Sequence, residues 1–218
     1  MTAQRDIFLR SEGDGWYTRN RSALEAKHSE TDEVLAAILE IRHQPSRVLE
    51  IGSADGWRLD QIRAKFGAQC NGIDPSEAAI NEGSKKYSEL KLEVGTADDL
   101  PFENSQFDTI IYGFCLYLCD RSDLFKVAAE GDRVLADGGF VIILDFHVEA
   151  PYRNAYKHYE GLYSYKMDYS KIFSWSPAYR QIYQKVFPHD SEGSLDDLDA
   201  LIAVTVLRKS ASLSFPER

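Results

Sequence analysis

The stretch "VLEIGSADGW" (residues 48–57) decides how the rest of the chain is read. An apolar run enters Gly52, and a second glycine follows at Gly56. Such a pattern predicts a buried strand, a sharp bend and a helix. In doubly wound sheets that first strand–helix bend lies at the carboxyl edge, where ligands bind. Glycine there lets the backbone turn tightly and approach a ligand closely. The following segment, "DGWRLDQIRAKF", places Leu59, Ile62 and Phe66 on one helical face.

Outward from this turn the pattern repeats. "AQCNGID" reads as a second strand ending at Asp74, and "SEAAINEGSKKY" as a helix opening after Pro75. "LKLEVG", "FDTIIYG" and "FVIILDF" are three further strands. "RSDLFKVAAEGDRVLADGG" reads as the helix before the last of them, closed by Gly138 or Gly139 in a left-handed cap. Strands alternating with helices over residues 46–146 predict βαβ units and a parallel sheet. Upstream, Val34, Leu35, Ile38 and Leu39 mark a helix capped by Ser29 or Thr31 and ending near His43, ahead of Pro45. Residues 1–29 read as irregular or weakly helical.

The last third differs in composition. Eight of the twelve tyrosines fall between Tyr152 and Tyr183. "YRQIYQKVF" and "ALIAVTVLRK" read as two more strands, pairing antiparallel at one sheet edge. The predicted fold is therefore α/β, a Rossmann-like doubly wound seven-stranded sheet, mostly parallel, with antiparallel C-terminal edge strands. Residues 1–218 are read as a single domain. It comprises an arm and helix (1–45), a core (46–146), and a tyrosine-rich lid with the last strands (147–218).

Composition narrows the partners. Of 218 residues 44% are hydrophobic, enough for a core, and the net charge is -10. That field repels polyanions, so nucleic acid is disfavoured and a small molecule is expected. No apolar run approaches the about 18 residues of a membrane span, and the polar N-terminus lacks a signal-peptide pattern. Cys70, Cys115 and Cys119 form no CxxC pair. This composition predicts a reducing, cytoplasmic setting and no metal site. Oligomeric state is not legible.

The glycine spacing also discriminates between cofactors. A dinucleotide fingerprint counted from Gly52 requires glycine at positions 54 and 57, where the chain has Ala54 and Trp57. A nicotinamide oxidoreductase is thus disfavoured, although Asp74 lies near the place of a ribose-binding acid.

"VLEIGSADG" resembles the first motif of class I S-adenosylmethionine-dependent methyltransferases, through Glu50, Gly52 and Gly56, with Ala54 at the central glycine position. "GIDPSEAAI" resembles the family's second motif, and "GTADDLPFENSQFDTIIY", "FCLYL" and "VLADGGFVIILDF" its later ones. The resemblance covers about residues 46–146. It implies S-adenosyl-L-methionine as methyl donor and S-adenosyl-L-homocysteine as product. Glu50, Gly52, Ser53, Ala54 and Gly56 would form the donor loop, and Asp74 with Pro75 the ribose site. Ala97 and Asp98 would meet adenine, and Tyr112 and Gly113 would close the strand end. Within "GDGWYTRN", Tyr17, Arg19 and Asn20 are candidates for the donor carboxylate.

Acceptor candidates are Tyr117, His147, Tyr156, His158 and Tyr163. His147, two residues beyond Asp145, is the candidate general base. Each position has a plainer reading. Glu50 serves equally to orient loop amides, Asp98 to cap a turn, and His147 to hold structure. The tyrosines serve equally as a second core. The implied function is methyl transfer to a small molecule, with oxygen as acceptor atom on a sugar-linked, lipid or natural-product compound. A non-catalytic donor-binding protein is the alternative.

Overall fold

A computed structural model describes residues 3–27, 32–190, 192–214 and 216. Of the two readings of the N-terminal segment, irregular or weakly helical, the helical one holds from Gln4: α1 (Gln4–Ile7), a π-helical turn (Phe8–Glu12) and α2 (Gly13–Lys27) follow without a break. Two glycines and few apolar residues hide this helix from periodicity. Gly13 is required by a close approach, since a Cβ there would lie 2.8 Å from the Phe8 carbonyl and 3.0 Å from the Ser76 nitrogen. Helix α2 therefore starts directly on the Pro75–Ser76 bend.

Helix α3 (Glu33–Glu40) is capped by Asp32, whose Oδ1 accepts from the Val34 and Leu35 amides. The caps expected from sequence, Ser29 and Thr31, lie outside the described residues. The sheet is then built by β1 (Arg47–Ile51), α4 (Trp57–Phe66), β2 (Gln69–Asp74), α5 (Glu77–Lys86), β3 (Lys91–Val94) and β4 (Phe107–Gly113). Its second half contains α6 (Leu124–Val134) and β5 (Leu135–Phe146). A hairpin of β6 (Tyr152–Ala155) and β7 (Tyr163–Lys166) follows, then α7 (Lys171–Ser174), β8 (Tyr179–Pro188) and β9 (Leu201–Lys209).

The seven-stranded sheet has the order β3-β2-β1-β4-β5-β9-β8. Strands β1 to β5 pair in parallel, and β9 runs antiparallel to both β5 and β8. The order reverses beside β1, so β1 and β4 part at their carboxyl ends and leave a crevice. Val48, Leu49, Ile110, Ile111, Val141 and Ile142 are fully buried beneath it.

Helix α6 ends at Val134, short of the expected glycine cap. Leu135 turns extended, and Lys209 Nζ donates to the Asp132 and Leu135 carbonyls at 2.7 and 3.1 Å. A lysine from the last strand thus supplies the donors a left-handed cap would have supplied. Gly138, at φ +80°, bends the start of β5, where the register with β4 shifts. The tyrosine-rich segment forms the separate β6–β7 hairpin.

Candidate active site

The bend after β1 is held by the end of β2. The Gly52 and Ser53 amides donate to the Ile73 carbonyl. The Asp74 carboxylate accepts from the Ala54 amide on one oxygen and the Ser76 amide on the other, each at 2.9 Å. Gly52 and Gly56 take positive φ, +76° and +81°, and Ala54 joins them at +47°. An L-residue there costs about 1–2 kcal/mol. The Ala54 methyl group recovers part of it by packing with Tyr17 and Ala79. Desolvation pushes the Asp74 carboxyl up to about 6 against the pull of its two amides.

Two cavities meet over this bend. The first is lined by Gly52, Ile73, Asp74, Pro75, Thr96, Ala97 and Asp98 on one side, and by Phe114, Cys115, Leu118 and Val127 on the other. Arg5, Phe8, Gly13 and Trp16 of the N-terminal helices close its front. Its empty space is about 850 Å³, counting the part open to solvent. The second cavity contains Asn20, Ser53, Ala54, Trp57, Arg58, Tyr117, Phe187 and His189. Trp16, Gly52, Gly113 and Phe114 line both.

Asp98 lies at the far end of the first cavity, bonded to Arg5 and to Lys126 at 3.2 Å. Burial pushes its carboxyl up, but Thr96, Lys126 and Arg5 outweigh that and hold it below the ordinary value. Glu50 lies behind Gly113. It is 1% exposed and ion-paired with Arg58, which also bonds Asp32 at 2.9 Å. Burial pushes Glu50 up to about 7 despite Arg58. Its Oε2 is buried and has no hydrogen-bond partner among the described residues. A Cβ on Gly113 would collide with the other oxygen, Oε1. The glycine therefore lets β4 close over this carboxylate.

Several expected residues are placed elsewhere. Gly56 starts α4 and faces Leu90 and Leu92. Tyr112 is fully buried and donates to the Val127 carbonyl, because the β-strand alternation points it under the sheet. Tyr17 packs behind the loop against Ala54. Arg19 pairs with buried Glu12 and bonds Tyr156, and the step of about 100° to the next residue of α2 leaves Asn20, not Arg19, on the cavity side. Tyr156 itself donates to Glu12 at 2.8 Å. His147 faces Asp168 at 3.8 Å. His158 packs edge-on against Tyr156, and Tyr163 receives Gln4 at its backbone. Of the five acceptor candidates, Tyr117 alone lines either of these two cavities.

Residues the sequence reading missed include Phe8, Trp16, Phe187 and His189. For the first two a signal existed. Phe8, Glu12, Trp16, Asn20 and Leu24 recur every fourth residue, the spacing of one helical stripe. In the sequence Asp145 marks only a strand end. It is buried and accepts from the Leu116 and Tyr117 amides at 2.9 and 3.3 Å. It thereby fixes the short turn Leu116–Leu118 that presents Tyr117.

The family model "Methyltransferase domain" matches residues 48–139, the span that carries the bend, Asp74 and Asp98. Those residues form a methyltransferase domain, and the proteins it resembles are class I S-adenosylmethionine-dependent methyltransferases. It is 28% identical over 168 residues to a ubiquinone/menaquinone biosynthesis C-methyltransferase of Geotalea daltonii, covering 72% of this chain and 69% of that one. It is 30% identical to a fatty-acid O-methyltransferase of Mycolicibacterium smegmatis over 54% of this chain and 46% of the relative. The chain thus spans about half the length of that second relative. Among solved structures, it shares its fold with a Burkholderia thailandensis 1,6-didemethyltoxoflavin-N1-methyltransferase holding S-adenosylhomocysteine. The TM-score is 0.73 at 14% identity, covering 94% of this chain and 88% of that one. S-adenosyl-L-methionine is the methyl donor of this methyltransferase family. No described helix is long and apolar enough to cross a membrane.

Proposed function

We propose that this methyltransferase transfers a methyl group from S-adenosyl-L-methionine to an oxygen of a small molecule. One observation carries the reading: two cavities join at Gly52, Gly113 and Phe114, so a donor in one faces an acceptor in the other. The chain's residues fit that donor. Asp74 retains acceptor capacity for two vicinal ribose hydroxyls beyond its two amide bonds. Asp98, held as an anion, accepts from an exocyclic amine, with the Ala97 amide beside it. Glu50, paired with Arg58 behind Gly113, lines neither cavity. When bound, the sulfonium supplies an already activated methyl group. The protein's part is to orient both reactants, exclude water with α1 and α2, and accept a proton.

The same proposal takes residues 1–218 as one methyltransferase unit. Its net charge disfavours nucleic acid as acceptor, and its three free cysteines suit a reducing cytoplasm. Titration calorimetry with S-adenosylmethionine, S-adenosylhomocysteine and NAD tests the donor. Binding of the first two and not the third is expected, and preference for NAD would overturn the proposal. Binding without turnover on a broad acceptor panel would instead favour a non-catalytic donor-binding protein.

A further inference from the structure

The second cavity has an aromatic wall, part of which it shares with the first. Trp16, Phe114, Tyr117 and Phe187 give it aromatic surfaces, and His189 stands among them. The His189 ring lies nearly parallel to Phe114, with centroids 5.5 Å apart and planes at 16°. It also meets Phe146 at 5.5 Å. Phe114 borders both cavities, so His189 stands one ring away from the donor cavity. Its Nδ1 is 3.6 Å from Asp190, which turns the opposite ring edge, carrying Nε2, away from that carboxylate.

We propose that this cavity takes a planar aromatic or heteroaromatic acceptor with a ring hydroxyl, and that His189 is its general base. The proposal rests on the methyl-transfer reading above. Aromatic side chains along the cavity favour a flat ligand that stacks on them. A sugar would leave hydroxyls unpaired along Phe114 and Phe187, at a cost for each. In the step, an oxygen lone pair of the acceptor forms the bond to the methyl carbon. The carbon–sulfur bond breaks and its electron pair stays on sulfur, which becomes a neutral thioether. The hydroxyl proton passes to neutral His189, leaving an aryl methyl ether and an imidazolium. His147, beside Asp168, is placed outside both cavities and has no part in this step.

Asp190 is beside His189, and Lys166 lies over the Phe146 ring at 4.2 Å. Across the cavity stand Asp32 paired with Arg58, Glu33 paired with Lys185, and the Tyr117 phenol.

The test uses the full chain. Calorimetry with S-adenosylhomocysteine comes first; no binding would sink the donor reading itself. With that compound saturating, 1-naphthol is expected to bind at least about tenfold more tightly than decahydro-1-naphthol, its saturated counterpart. Equal binding of the two overturns the planar-acceptor proposal while the donor reading stands. The wild type is expected to methylate at least one of 1-naphthol, 8-hydroxyquinoline and catechol; failure on all three overturns the proposal. His189→Phe keeps a stacked ring and removes the base. It is expected to bind 1-naphthol within about threefold of wild type, to lose about 100-fold in kcat, and to lose the acidic limb of the pH profile. A kcat within threefold of wild type, or an unchanged acidic limb, would reject His189 as the base.

Discussion

The Asp74 carboxylate accepts the Ala54 amide at 2.9 Å, so the residue proposed to hold the donor's ribose also fixes the bend after β1. Burial raises its carboxyl to about 6, above the ordinary carboxylate value. Between those two values the free protein holds a proton that a ribose-binding anion must release. Donor affinity is therefore expected to rise with pH through this window, by about tenfold from pH 5 to pH 7.5. Calorimetry with S-adenosylhomocysteine measures it. Asp74→Asn should bind weakly at both pH values and show no such slope.

Ala54 gives a second expectation. Its positive φ favours glycine, while its methyl group packs with Tyr17 and Ala79. The strain and the burial are each about 1 kcal/mol and oppose one another. Ala54→Gly should leave the urea midpoint nearly unchanged. Ala54→Val puts a β-branched residue at that φ and should cost about 3 kcal/mol. A well-tolerated valine would show that the backbone strain is not real.

Glu50 and Arg58 form a buried pair whose two members differ in consequence. Arg58→Met strands a buried carboxylate and should destabilise by about 3–5 kcal/mol. Because burial raises Glu50 to about 7, the folded chain carries an extra proton between the ordinary carboxylate value and that pH. The contribution of Glu50 to stability is therefore largest at low pH and shrinks as pH rises through the window. Urea unfolding of wild type against Glu50→Gln at pH 5 and pH 7.5 should show the difference shifting against wild type, on the order of 2 kcal/mol. No shift would mean that Arg58 already holds Glu50 ionised.

Gln4 anchors the helix that closes the first cavity. Its side-chain amide donates to the Leu118 and Tyr163 carbonyls at 2.6 and 2.9 Å, and its oxygen accepts from the Tyr163 amide. Gln4→Ala removes all three bonds, at about 1 kcal/mol each or less. Stopped-flow displacement of S-adenosylhomocysteine should show release at least about fivefold faster, with the chain still folded. An unchanged release rate would mean that α1 does not gate the donor.

The βαβ core was legible because its signals are local. Apolar runs, the glycines at 52 and 56, and acids at strand ends name their own elements and face a known sheet edge. Asp74, Ala97, Asp98 and Gly113 were placed at the cavity for that reason. Arg19, Tyr112 and His147 sit beside equally suggestive residues, yet rotation about a helix or alternation along a strand turned them elsewhere.

By itself the sequence determined the alternation of strands and helices and the chemistry of the bend, since both depend on neighbours a few positions apart. Only the tertiary structure decided that α1 and α2 close the first cavity, that Lys209 ends α6, and that His189 rather than His147 stacks on Phe114. Those contacts join residues far apart in the chain, and no local periodicity encodes which distant side chain fills a given gap.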